Sequence, residues 1–186
     1  MSHNIDPEQG MPSFINPSRN LNNEEKEAAY KQSIAEINAV LDGENNMIVK
    51  MATINCILKS HIPYAYWIGF YCLNDERLTV GPYQGTLGCI HIEIGKGVCG
   101  AVAADKQTKI VKDVHQLVEG EEHITCDPNS HSEIVVPVFD KENKLIAVFD
   151  VDSSVKESFD NTDQVYLEQI MKDQFEVDHL ERQFKG

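Results

Sequence analysis

EIVVPVFDKENKLIAVFDV, residues 133–151, reads as two strands folded back on one another. Glu133 to Phe139 and Lys144 to Val151 are rich in β-branched and aromatic residues, and the polar run Asp140-Lys141-Glu142-Asn143 between them supplies a turn. A hairpin of this kind requires antiparallel pairing. Upstream, Tyr64 to Cys72 is aromatic and β-branched and turns at Asn74-Asp75 into Arg77 to Val80. Cys89 to Ile94 alternates, with Ile90, Ile92 and Ile94 on one face and Cys89, His91 and Glu93 on the other. Thr108 to Val111 reads as a short strand. Helices bracket and interrupt this set. One runs from a cap at Asn22 or Asn23 to Gly43, with Ile34, Ile37 and Leu41 at helical spacing. A second spans about Asn45 to Ser60, with Ile48, Met51, Ala52 and Asn55 near one side and Pro63 ending it. A short third helix, Gly97 to Ala104, opens after Gly95-Lys96-Gly97, and a last spans Asn161 to Gln183. Helices, strands, one inserted helix, strands and a helix make an α+β layer structure.

At 186 residues the chain is long enough for one domain with a full core and short for two. Residues 1–22 are rich in Asn, Pro and Ser and read as a mobile arm, leaving 23–186 as the domain. The net charge of −14 argues against nucleic acid and against an anionic membrane surface, since both need a basic face. No apolar run approaches a membrane span, and the first residues lack the basic start and apolar stretch of a secretory signal. Five cysteines without framework spacing point to a cytoplasmic protein whose disulfides are transient and catalytic.

Three of those cysteines, Cys89, Cys99 and Cys126, lie on separate elements without CxxC spacing. Cys56 reads as a small core residue and Cys72 as structural. Cys126 falls in Asp113 to Ser132, about twenty residues without a period, which is long for a structureless loop and reads as a functional lid or a disordered segment. Alternation puts Trp67, Gly69 and Tyr71 on one strand face, with a slot over the glycine walled by rings. In the strand from Lys144 the odd face is apolar throughout, whereas the even face changes from Ile146 and Val148 to Asp150 and Asp152. Two carboxylates pointing the same way repel unless a cation or a shared proton lies between them. Glu133, at the start of its strand, is a third acid. The histidines His91, His115, His123 and His131 match neither a helix-borne pair nor an EF-hand loop, so no metal site is expected.

Trp67-Ile-Gly-Phe-Tyr71, Gly81-Pro-Tyr-Gln-Gly85, Gly97-Val-Cys-Gly100, Asp113-Val-His115, His123-Ile-Thr-Cys-Asp127, Ser132-Glu-Ile-Val-Val-Pro137 and Phe149-Asp-Val-Asp-Ser153 together resemble the free methionine-(R)-sulfoxide reductases, which are built on a single GAF domain. The likeness runs from about Asn23 to the end. It implies a GAF-like antiparallel sheet flanked by N- and C-terminal helices, with a short inserted helix and a long active-site loop. It further implies an oxidoreductase that reduces free L-methionine-(R)-sulfoxide to methionine through a cysteine sulfenic acid and an intramolecular disulfide. Thioredoxin, fed by NADPH, would recycle that disulfide, with no bound cofactor. In this resemblance Cys126 is the catalytic cysteine, Cys89 the usual resolving cysteine and Cys99 the third, either of the latter two being able to resolve. Trp67, Tyr71, Glu133, Asp150 and Asp152 match the substrate pocket, with Glu133 or Asp152 supplying the proton to the sulfoxide oxygen. The segment from Val114 to His123 departs from the family by being longer and more acidic (Glu119-Gly120-Glu121-Glu122). A homodimer is compatible with all of this. Rival readings are a GAF-type sensor of a small molecule or of redox state without turnover, and a thiol peroxidase needing Cys126 but not the acids.

Overall fold

The computed structural model describes residues 20–117 and 128–176. The assigned arm up to Arg19, the segment 118–127 with Cys126, His123 and the acidic run, and the end of the expected last helix, 177–183, lie outside the described residues. The described elements are helices α1 (Asn23–Val40) and α2 (Met47–His61), strands β1 (Trp67–Asn74), β2 (Arg77–Gln84) and β3 (His91–Glu93), helix α3 (Gly97–Asp105), strand β4 (Lys109–Val111), a 3-10 turn (Val114–Gln116), strands β5 (Ser132–Phe139) and β6 (Leu145–Ser153), and helix α4 (Asn161–Met171). α4 passes into a π-helical turn at Lys172–Glu176.

One six-stranded sheet has the order β3-β2-β1-β6-β5-β4, and its pairings are antiparallel. The alternation of side chains divides the apolar residues between its two faces. Ile68 and Phe70 of β1, Ile134, Val136 and Val138 of β5, and Ala147, Phe149 and Val151 of β6 pack against α1, α2 and α4. Trp67 and Tyr71, Val135 and Val148 turn the other way and meet Val98, Cys99, Val102 and Ala103 of α3. The fold is α+β and GAF-like, three layers with only a short helix over the second face. That short helix leaves room beside it for a cavity.

Local chemistry explains the helix starts. Asn22 accepts from the Glu25 backbone N–H while the Glu25 carboxylate accepts from that of Asn22, a reciprocal cap. Asn46 caps α2 through the N–H groups of Ile48 and Val49, so α2 begins just after the expected Asn45. The buried side of α2 is Met51, Ile54, Asn55 and Leu58, whereas Ile48 and Ala52 face solvent. Cys56 is likewise exposed, not a core residue. In the third expected strand only His91–Glu93 pairs: Ile92 is buried, Ile90 and Ile94 are exposed, and Cys89 lies in the loop before it. Three paired residues cannot impose a face on a longer alternating run.

A buried acid ties the helical layer together. Asp163 of α4 accepts from the hydroxyls of Tyr30 and Tyr64, from the Lys26 ammonium and from the Asp160 backbone N–H. Lys26 also donates to the Ser158 carbonyl and to Asp160.

Candidate active site

The register of three neighbouring strands builds the site. Asp152 stands opposite Trp67 on one side and Glu133 on the other; Asp150 stands opposite Gly69 and Val135; Val148 stands opposite Tyr71. Two-residue alternation therefore lifts Trp67, Tyr71, Glu133, Asp150 and Asp152 onto one face, beneath the first turn of α3. These residues line a cavity of about 40 Å³ with Tyr66, Leu87, Gly88, Lys96, Gly97, Cys99 and Ser130 among its walls. Seven of the eight residues assigned from the sequence are described. Cys99 and the pocket residues converge here, whereas Cys89, half-buried on the loop between β2 and β3, is engaged in a disulfide. Cys126 lies outside the described residues. Cys56, Cys72 and Cys99 are free thiols.

The expected slot over Gly69 is filled by the indole itself. A Cβ on Gly69 would stand 2.3 Å from the Tyr83 Cβ and 2.7 Å from the far edge of Trp67. The missing side chain lets the Trp67 ring lie flat along the sheet, stacked between Tyr71 at 5.6 Å and Tyr83 at 5.2 Å. Its Nε1 donates to the Thr86 carbonyl. Gly85, at φ +133°, and Gly88 allow the following loop to close over these rings, for a Cβ on Gly88 would meet the Tyr71 hydroxyl at 2.9 Å. Tyr83, Gly85 and Gly88 were missed as site residues because their part is to pin other residues. The Gly81–Gly85 stretch was the only signal in the sequence that could have found any of them.

The acids are crowded and dry. Glu133 and Asp150 are buried, and Asp152, half-buried, accepts from the Ser130 hydroxyl. Burial, followed by the charges of Asp150 and Asp152, raises the Glu133 carboxyl well above the ordinary carboxylate range. Burial and then Asp152 do the same to Asp150. One Asp150 oxygen, Oδ1, has no hydrogen-bond partner. The Cys99 sulfur lies 4.0 Å from Glu133 Oε1, and burial with the charges of Asp150 and Glu133 pushes its thiol well up. Cys99 is thus held as a protonated thiol, a poor nucleophile. The cavity offers a proton on a buried carboxyl, an acceptor lacking a donor, and an aromatic wall.

Across from the acids, α3 starts at Lys96 without a side-chain cap and without an acidic residue in its first turn. The first turn of the helix, its positive end, borders the same cavity through Gly97, Val98 and Cys99. None of the histidines weighed as metal ligands lines the cavity among the described residues; His91 bonds Thr79, and His115 stacks edge-on against His131.

Comparison with known proteins agrees with this geometry. Residues 60–173 match the GAF domain family. The free methionine-R-sulfoxide reductase of Escherichia coli is 37% identical over 142 residues, 76% of this chain and 84% of that protein. The enzyme of the same name from Saccharomyces cerevisiae is 35% identical over 165 residues, 85% of this chain and 88% of its own. The X-ray structure of free methionine-R-sulfoxide reductase from Neisseria meningitidis in complex with its substrate superposes with a TM-score of 0.74 at 34% identity, covering 86% of this chain and 90% of that one. With the fold, the extent of these matches and the acid-and-aromatic cavity in agreement, the chain belongs to the free methionine-(R)-sulfoxide reductase family of GAF-domain proteins.

Proposed function

We propose that this chain is an oxidoreductase that reduces free L-methionine-(R)-sulfoxide to L-methionine, with electrons delivered by thioredoxin. The observation that carries the reading is a cavity in which buried, proton-holding acids stand beside a pinned indole and opposite a helix N-terminus. A free amino acid is a zwitterion of matching pattern. Its ammonium would donate to the unpartnered Asp150 oxygen, with Asp152 adjacent, and its carboxylate would meet the first turn of α3. Trp67 and Tyr71 would hold the S-methyl end. A peptide-linked methionine sulfoxide lacks the charged ammonium and should be a poor substrate.

In the chemical step the Cys126 thiolate attacks the sulfoxide sulfur while Glu133 gives its proton to the oxygen. The protonated oxygen passes to the Cys126 sulfur as its bond to the methionine sulfur breaks, so methionine leaves as the thioether and Cys126 becomes a sulfenic acid. The Cys89 thiol condenses with it, forming a disulfide and releasing water. A dithiol reductant then restores both thiols by exchange. The disulfide at Cys89, with Cys56, Cys72 and Cys99 free, supports Cys89 as the resolving partner. The protonated state of Cys99 argues against Cys99 as the attacking sulfur. Free thiols at three of five cysteines fit a reducing compartment such as the cytoplasm, and among the described residues no helix is long and apolar enough to cross a membrane.

Purified protein with dithiothreitol, wild type beside Cys126→Ser, should consume only the R diastereomer of free methionine sulfoxide, and only in the wild type. Turnover of neither form with reduced thiols would favour the sensor reading. Comparable turnover of an N-acetylated substrate would remove the role given to Asp150.

A further inference from the structure

Cys99 Sγ, a carboxylate oxygen of Glu133 and one of Asp150 all lie within 4.8 Å of one another, and all three residues are buried. They come from three elements, α3, β5 and β6, and adjacent strands fix the two acids in neighbouring rows. Zinc holds thiolate sulfur at about 2.3 Å and carboxylate oxygen at about 2.0–2.2 Å, so ligand atoms around it stand roughly 3.3–3.7 Å apart. The cluster reaches that spacing with small side-chain shifts. The second, independent observation is the Asp150 oxygen without a donor, on a residue 5% exposed and facing the same cavity.

We propose that Cys99, Glu133 and Asp150 form a site for a thiophilic divalent cation of the zinc class, and that its occupant excludes the substrate. One sulfur and two oxygens make a donor set suited to zinc, cadmium or cobalt and not to magnesium or calcium. Three protein ligands leave a fourth position on the cavity side, where water completes a tetrahedron. The cation takes the place of the protons on these groups and sits where the amino-acid ammonium would go, so the two cannot bind together. The site is thereby a regulatory one: the cation stops turnover reversibly and shields Cys99 from oxidation. Only this consequence rests on the proposed function; the binding itself does not.

The test uses full-length protein and cobalt(II), which reports thiolate coordination by a sulfur-to-metal charge-transfer band and tetrahedral geometry by intense visible bands. It is run on the form with the Cys89 disulfide intact, carrying Cys56→Ser so that the exposed thiol is silent. One equivalent of cobalt should give both signals, zinc should displace it, and magnesium should not. Cys99→Ser should abolish the charge-transfer band, and Glu133→Gln or Asp150→Asn should weaken binding by more than about 100-fold, beyond the loss of a mere outer-shell partner. Free methionine sulfoxide should bleach the signal competitively. No band at one equivalent, or a band that survives Cys99→Ser, overturns the site; a band indifferent to both acid variants overturns the ligand set. A cobalt spectrum unmoved by saturating methionine sulfoxide, in protein that turns it over, overturns the exclusion and leaves the reductase reading intact. Failure of turnover with a normal cobalt spectrum would do the reverse.

Discussion

Asp150 shows how function and stability separate at a single residue. Its carboxyl is buried, one oxygen lacks a partner, and burial raises its proton affinity. The folded chain therefore keeps a proton that the unfolded chain releases above the ordinary carboxylate range. Stability from that proton is fully present below about pH 4 and is lost as pH rises through the raised value. Asp150→Asn removes the charge, so its melting temperature should equal or exceed that of the wild type at neutral pH, with the gap growing as pH rises. The same change should lower kcat/KM by about 10–150-fold, the worth of a charge-assisted hydrogen bond to the ammonium. A fall in both stability and activity would mean that Asp150 is structural. The thiols give a second ordering. Cys56 is exposed, Cys72 is half-buried with its thiol pushed up by burial, and Cys99 is buried beside two acids. Iodoacetamide on the native protein should label Cys56 first, Cys72 more slowly and Cys99 last, as read by peptide mass spectrometry. The acids themselves were legible in the sequence, because an apolar strand face that turns acidic is a local signal. The confinement of Cys99 by those acids was not, since it depends on α3 descending onto β5 and β6.

At the level of elements, strand pairings set the site and glycines set the tolerances. The hairpin of β5 and β6, the β1–β2 turn at Asp75 and the helix caps could be read from local residue chemistry, because each is decided within a few positions. The faces of α2 and of the run around β3 could not, because burial there depends on what packs against them and how far pairing extends. Two glycines make this testable. A Cβ at Gly100 would stand 2.3 Å from the Glu93 carbonyl oxygen, where α3 crosses the end of β3. Backbone cannot yield cheaply, so Gly100→Ala should destabilise by about 1–3 kcal/mol, measured by urea unfolding. At Gly69 the obstructing atoms include the edge of the Trp67 ring. Gly69→Ala should tilt the indole out of its stack between Tyr71 and Tyr83, shift tryptophan fluorescence and raise KM for the sulfoxide. Unchanged fluorescence and KM would show that the flat ring is dispensable.

Across the whole molecule, the helical layer and the reaction layer are held by different means. On one face of the sheet, α1, the segment leading into β1 and α4 converge on Asp163, fully buried and bonded by two tyrosines, a lysine and a backbone N–H. On the other, α3 covers acids that oppose one another. An arrangement of this kind lets the first face carry the strain of the second, since the central strands β1, β5 and β6 belong to both. Asp163→Asn keeps one oxygen as acceptor for Tyr30 and Tyr64 but removes the charge paired with Lys26, itself 2% exposed, and sets an amide N–H2 against donors where the second oxygen accepted from Lys26 and the Asp160 N–H. Breaking a buried pair in this way should cost about 3–5 kcal/mol. For a domain of this size that is a fall in melting temperature of about 6–20 °C. The contact between Glu36 and His61 offers the contrast: both side chains touch solvent, so Glu36→Gln should leave the melting temperature close to that of the wild type. If the two faces are independent in function, Asp163→Asn should retain wild-type KM and kcat well below its own melting temperature. A raised KM there would mean that the network also sets the position of β1, and with it the Trp67 wall of the cavity.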